Sequence, residues 1–202
     1  MAHGFDSYRV FVASPGDLEA DRQAAHDAIA RANEAVAMPA KILLVNIGLR
    51  DNDQIANFRS VVSENVRCST FFIQIFQDDW GTRDLFRKLF LLALECRDDA
   101  SMPMRDVAVC LKDAPSETNQ EILAFRRELE DRKDVNLFRY SRAEQLREHL
   151  ERACGEWVQS LIALGSPAPG AGRWQRPPIT PTPLTPAPLF SIPCNSSSHL
   201  RA

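Results

Sequence analysis

The residues that could bind a small ligand lie in two loops, Ser14–Asp17 and Asp78–Arg83. Ser14 precedes a helical pattern, and free backbone amides at the start of a helix attract anions, although Asp17 places a carboxylate there. The same spacing fits a capping box, in which Ser14 caps the helix and Pro15 occupies its first turn. Both interpretations stay open. The chain lacks the two common glycine-rich phosphate motifs, which excludes phosphate binding of those kinds.

The segments that must position these loops alternate between two periodicities. Runs typical of strands are Tyr8–Ala13, Lys41–Val45, Thr70–Phe76, Asp106–Leu111 and Val135–Phe138. Segments with helical spacing are 17–36, Gln54–Val66, Arg83–Cys96, Glu117–Arg132 and Arg142–Leu164. Five strands alternating with five helices predict an α/β fold, a flavodoxin-like three-layer sandwich with a five-stranded parallel sheet. Right-handed crossovers favour the strand order 2-1-3-4-5, in which strands 1 and 3 flank the switch point where such sheets bind ligands.

The first of these strands and its loop carry a family resemblance. The stretch Tyr8-Arg-Val-Phe-Val-Ala-Ser-Pro-Gly-Asp-Leu-Glu-Ala-Asp-Arg22, with its motif V-F-V-x-S-P-G-D, resembles the opening of a bacterial TIR-like family of unknown function. Weaker matches continue to residue 164. Members stand alone or precede STAND-type NTPases, so the resemblance implies a TIR-like fold and a role in bacterial defence or a STAND-linked pathway. Ala13 departs from the serine common there, and the stretch before Gln54 is short.

The resemblance also implies a site. NAD-cleaving TIR domains carry a tryptophan followed four residues later by a catalytic glutamate, and here Asp84 follows Trp80 at that spacing. Asp84 is therefore the candidate catalytic residue, in a pocket whose ligand-binding residues would be Ser14, Asp17, Arg22, Trp80 and Gly81. No cofactor is implied, and NAD would be a substrate.

Each of these carboxylates and cations also has a structural interpretation. Asp84 can favour the N-terminus of its helix through the helix dipole. Glu95 is the second catalytic candidate, but eleven helical residues separate the two acids by about 16 Å, so they cannot serve one reacting carbon. Arg22 can form a local ion pair with Asp17 or Asp21, or it can hold Asp17 in place at the switch point.

The helix Leu85–Leu94 is apolar nearly all round. A surface helix normally keeps one polar face, so this one is either buried by the rest of the chain or part of a partner surface. TIR-like domains commonly assemble through such helices, and the resemblance therefore implies an interface. The residues expected in it are Leu85, Phe86, Leu89 and Phe90.

The charge balance restricts the partners. The chain has 24 Lys and Arg and 27 Asp and Glu, for a net charge of −3. Residues 166–202 hold three arginines and no acid, so the first 165 residues carry 21 basic and 27 acidic side chains, or −6. An acidic body argues against nucleic-acid binding.

Other sequence features concern the compartment. Unbroken apolar runs reach only about five residues where a bilayer span needs about 20, so we expect no membrane partner. The start has no apolar signal core, and five cysteines without a C-x-x-C pair indicate reduced thiols, so we expect the cytoplasm. The histidines show no metal-binding spacing.

Three regions follow from composition. Residues 1–7 are an N-terminal extension, 8–165 the TIR-like domain, and 166–202 a disordered tail that holds nine of the thirteen prolines. The leading hypothesis is a cytoplasmic TIR-like signalling or assembly module that contacts a protein partner or itself. The alternative is an NAD or nucleotide N-glycosidic hydrolase of the TIR type.

Removing the tail should not affect folding. Its composition cannot bury enough apolar surface to offset the entropy of ordering the chain. A chain that stops after Ser166 should therefore melt within a few degrees of the full-length protein when both are followed by circular dichroism. A much lower melting temperature would mean that the tail packs on the body.

Overall fold

The computed structural model describes residues 4–49, 59–80 and 84–164. The strands are β1 (Asp6–Ala13), β2 (Ile42–Leu49), β3 (Phe71–Phe76), β4 (Asp106–Lys112) and β5 (Asn136–Tyr140). The α-helices are α1 (Glu19–Ala32), α2 (Arg59–Arg67), α3 (Leu85–Asp98), α4 (Gln120–Asp131) and α5 (Ala143–Leu164). The strands form one sheet in the order β2-β1-β3-β4-β5, and every neighbouring pair is parallel. The predicted flavodoxin-like arrangement is confirmed. Among the described helices, none is long and apolar enough to cross a bilayer.

Strand pairing explains where the observed ends differ from the predicted ones. β1 and β2 pair along all eight residues, from Asp6 opposite Ile42 to Ala13 opposite Leu49. β1 therefore begins inside the predicted N-terminal extension, and β2 continues four residues beyond its predicted end. The predicted helix start at Gln54 and the tail from residue 166 lie outside the described residues.

The sheet has an apolar core on each face. All six residues of β3 are buried, with Ile73 and Ile75 in the cluster that includes α1 and α5, and Phe72 and Phe76 in the cluster with α3 and α4. A strand buried on both faces takes apolar side chains at nearly every position rather than at alternate ones, and here the exception is Gln74, whose Nε2 donates to the Ile75 carbonyl (3.0 Å). This explains why the Phe71–Phe76 run carries the clearest strand signal in the sequence.

The structure buries three of the four residues predicted for an interface on α3. Phe86, Leu89 and Phe90 are at most 3% exposed because they pack in the core between the sheet and α4, and Leu85 is half-buried against the same cluster. Leu91 is the large apolar side chain of this helix that faces outward, at 45% exposure. The other outward positions of α3 are polar: Arg87, Lys88, Glu95 and Asp98.

A side-chain amide protects the edge strand β2. The chain leaves α1 through a π-helical turn, Asn33–Ala37, which places Asn33 beside the strand. The Leu44 N–H donates to Oδ1 of Asn33 (2.8 Å), and Nδ2 of Asn33 donates to the Leu44 carbonyl (2.9 Å). Edge strands with free backbone groups tend to pair with other chains, so this amide covers one position that could do so.

Replacing Asn33 with Ala should lower the free energy of unfolding by about 1–2 kcal/mol, because it leaves both backbone groups of Leu44 without their partner. Gln23→Ala is a matched control, since Gln23 bonds only to Asp27 one turn away at an exposed position (2.8 Å). The control should change stability by less than about 0.5 kcal/mol. Urea unfolding of both variants measures the difference, and equal losses would contradict a special role for Asn33.

Candidate functional site

The connection from β1 to α1 forms a turn before the helix starts. Ser14 is fully buried, and its hydroxyl donates to the carbonyl of Pro15 (3.2 Å). The Leu18 N–H donates to the same carbonyl (3.2 Å), and α1 begins only at Glu19 with no side-chain cap among the described residues. The capping-box interpretation of Ser14 and Asp17 is therefore wrong, because α1 begins after Leu18, four residues later than a cap at Ser14 requires.

Two charged residues in the first turns of α1 are almost fully buried. Arg22 is 3% exposed and forms an ion pair with Glu19, an acid that the sequence analysis did not name as its partner. Asp21 is 1% exposed, and its Oδ2 accepts a hydrogen bond from Nζ of Lys112 at the end of β4 (2.8 Å). This second pair ties α1 to a strand 91 residues further along the chain.

A buried tyrosine completes this cluster. Tyr140 ends β5, and burial raises the pKa of its hydroxyl, as do the neighbouring Asp21 carboxylate and the Cys110 thiol. Neither the Tyr140 hydroxyl nor Oδ1 of Asp21 has a hydrogen bond of good geometry within the described residues. Buried polar groups usually have such a partner. The ion pair with Lys112 therefore balances the charge of the buried Asp21 carboxylate.

The loop after β3 is fixed by aromatic packing. The Trp80 ring stacks on Phe76 with 4.2 Å between centroids and meets Phe125 of α4 edge-on at 4.3 Å. Phe125 also contacts Phe90 of α3 edge-on at 6.2 Å. The Phe86 N–H donates to the Trp80 carbonyl (3.1 Å), so the first turn of α3 holds the same loop. Trp80 is 9% exposed and belongs to the core as much as to a site.

Asp84 sits at the start of α3 in the left-handed region, with φ of 55°. This conformation is uncommon for residues other than glycine, although aspartate adopts it more readily than most. The Asp84 side chain is exposed and makes no capping bond within the described residues. Asp84 still lies at the N-terminus of α3, so the helix-dipole interpretation of its carboxylate stays open. Glu95 lies near the other end of the helix.

Trp80 and Asp84 line one cleft of about 580 Å³ between the start of α3 and one face of α4. Its floor is apolar, and its rims are mostly charged or polar. The described residues around it are Asp78, Asp79, Trp80, Asp84, Arg87, Asn119, Glu121, Ile122, Ala124, Phe125 and Glu128. Five of these are acidic and one is basic, which gives a formal charge of −4.

The predicted site residues are thus divided. The cleft brings together Trp80 and Asp84, whereas Ser14, Asp17 and Arg22 belong to the β1–α1 connection and do not line it. Glu95 also does not line the cleft. Gly81 lies outside the described residues.

Crowded negative charge is visible at Asp78, where the two loops approach each other. Burial raises the pKa of the Asp78 carboxyl, and the charges of Asp17, Glu117 and Asp79 raise it further. Arg126 opposes this shift, while its Nη1 donates to the carbonyl of Gln77 (2.6 Å). Among the described residues, three carboxylates therefore raise the pKa of Asp78 and one cation, Arg126, lowers it.

Sequence reasoning missed the α4 side of the cleft and the lysine that pairs with the buried Asp21. Asn119 caps α4 by accepting from the Glu121 N–H (2.9 Å), and Glu121 and Glu128 then project along the cleft. Their spacing of seven is visible in the sequence, but nothing there says which element they face. Lys112 had a clearer signal, since it is a charge that directly follows the apolar run Val107–Leu111.

Neither a protein-family model nor a curated protein matches this chain. The TIR-like resemblance therefore stays a hypothesis that rests on the opening motif. Within the described residues, no group of histidine, cysteine and acidic side chains could hold a metal ion.

Replacing Lys112 with Met should destabilise the fold by about 2–3 kcal/mol, because it leaves the Asp21 carboxylate buried without its cation. Asp21→Asn should cost less, because the Lys112 side chain is 27% exposed and can turn to water. The double variant should recover part of the loss. Urea unfolding of all three completes a double-mutant cycle, and strictly additive losses would contradict the coupling.

Proposed function

We propose that the chain is a cytoplasmic TIR-like signalling or assembly module that acts through protein contacts. The observation that carries this proposal is the charge of the cleft around Trp80 and Asp84. An acidic cleft repels the anionic diphosphate of NAD and attracts basic groups, which proteins supply in quantity. The four described cysteines carry free thiols, which agrees with a reducing compartment.

Helix dipoles do not reverse this electrostatic argument. The N-termini of α3 and α4 both lie at the cleft, and each contributes the equivalent of roughly half a positive charge. Together they offset about one of the four net negative charges of the lining side chains. The remaining field still disfavours a dinucleotide.

Two of the residues expected in a nucleotide pocket make other contacts instead. The hydroxyl of Ser14 is used in its own turn, and the guanidinium of Arg22 pairs with Glu19 at a buried position. Arg22 is the cation that the enzyme hypothesis placed near the ligand. Its burial away from the cleft lining favours a structural role.

A second candidate is an NAD glycohydrolase, and the shared cleft of Trp80 and Asp84 favours it. In that reaction the bond between ribose and nicotinamide breaks, water adds to the ribose carbon, and a carboxylate stabilises the positive charge that develops on the sugar. Such stabilisation depends on preorganised geometry. Asp84 is one methylene shorter than the glutamate of NAD-cleaving TIR domains, and its side chain is exposed to water.

Incubation of concentrated full-length protein with NAD separates these two functions. We expect no nicotinamide release above the buffer rate, measured by liquid chromatography, because the cleft repels the substrate. Asp84→Asn and the remote Glu156→Gln serve as a matched pair of variants that each remove one exposed carboxylate. Release that is lost in the first variant and kept in the second would overturn the module and support the enzyme.

A further inference from the structure

The cleft beside α4 is a trough with an aromatic floor and acidic rims. Its floor consists of Trp80, Ile122 and Phe125, each of which is at most 9% exposed. On the α3 side the rim carries Asp84, and on the α4 side Glu121 and Glu128, all of them exposed. A positively charged group that enters the trough therefore meets a ring system below it and carboxylates on both sides.

The acids extend along the trough instead of converging on one point. Glu121 and Glu128 are seven residues apart on α4, which corresponds to about 10 Å along the helix axis. An extended chain covers that distance in about three residues, and its alternate side chains, about 7 Å apart, face the same way. Two basic side chains separated by one residue begin about 7 Å apart, and the length of the arginine and glutamate side chains can cover the remaining distance of about 3 Å.

We propose that this trough binds an extended, arginine-bearing segment of a partner protein. The inference rests on the proposed function as a protein-contact module and names the chemistry of its partner. The guanidinium plane stacks on aromatic rings, and its fork of donors pairs with carboxylates through two parallel bonds. A lysine ammonium offers the charge but neither the plane nor the fork.

The openness of the trough favours a peptide over a small cation. Small-molecule sites usually enclose 70–90% of their ligand's surface. Here only the floor is buried, and seven of the eleven described lining residues are exposed. A peptide compensates for shallow burial by making several such contacts at once, because its charges are linked along one chain.

Arg87, the one basic residue among the described lining residues, supplies a test of opposite sign. Arg87 follows Asp84 by three positions and is exposed on the α3 rim. Its charge competes with an incoming guanidinium for the same carboxylates. Removing Arg87 should therefore strengthen binding, whereas removing Asp84 or Glu121 should weaken it.

The experiment is a calorimetric titration of the full-length protein with a capped five-residue peptide that has two arginines separated by one glycine. A matched peptide with citrulline in place of both arginines removes the charge and keeps the shape. The variants are Asp84→Asn/Glu121→Gln in the trough and Glu148→Gln/Glu156→Gln on α5. Both double variants change the net charge equally, and α5 packs on the opposite face of the sheet.

The arginine peptide should bind and the citrulline peptide should not. The trough double variant should lose about tenfold in affinity, the factor expected from two exposed charge pairs, while the α5 variant stays within about twofold. Arg87→Ala should gain about twofold to threefold, and added salt should reduce all affinities because the pairs are exposed. Agmatine, a small molecule with one guanidinium, should bind more weakly than the peptide.

Three results would overturn the inference: equal losses in both double variants, equal binding of the citrulline peptide, or agmatine binding as tight as that of the peptide. The last would assign the trough to a small cation. None of these results involves NAD, so they leave the module itself standing. Nicotinamide release that depends on Asp84 would remove the module and this inference with it.

Discussion

A parallel sheet covered by helices on both faces confines the chain's polar chemistry to the ends of its strands. β3 is buried along its whole length, and the strands beside it are buried over most of theirs. Charged side chains can reach water or a charged partner where each strand ends. Lys112 ends β4, Tyr140 ends β5, and the acidic loop follows β3, so these polar groups gather at the carboxyl ends of the strands.

The charged groups at these strand ends are arranged differently on the two faces of the sheet. On the α1 and α5 side, the buried carboxylate of Asp21 pairs with Lys112, whose side chain stays 27% exposed. On the α3 and α4 side, aromatic rings fill the interior up to Trp80 and leave the carboxylates above them in water. The first arrangement stabilises the link between α1 and β4, and the second leaves a charged surface over a rigid floor.

Much of the fold is predictable because its signals are local and periodic. All five strands and five helices follow from apolar spacing, and their order follows from the handedness of the crossovers. The turn at Ser14 was not predictable, because Pro15 and Gly16 are compatible with both a helix start and a tight turn. The outward face of α3 was also misread, since Leu85 and Leu92 flank the buried stripe and make it look continuous around the helix.

The candidate site was predicted only in part, for a different reason. Trp80 and Asp84 are four residues apart, so a loop and a helix start place them together. Glu121 and Glu128 join them only through the packing of Phe125 on Trp80, across about forty residues of chain. Spacing within one element can show a stripe of acids, but not which surface that stripe faces.

The carboxylates around the trough repel one another, and this repulsion bears on their role. Like charges held together oppose folding, and the pKa of Asp78 is raised by burial first and then by the carboxylates of Asp17, Glu117 and Asp79. Elsewhere the chain places cations beside its carboxylates: Arg97 and Arg132 both pair with Asp134. That network holds a loop to a helix with opposite charges. At the trough most of the described charges are negative and the floor is fixed, and this arrangement favours a positively charged partner.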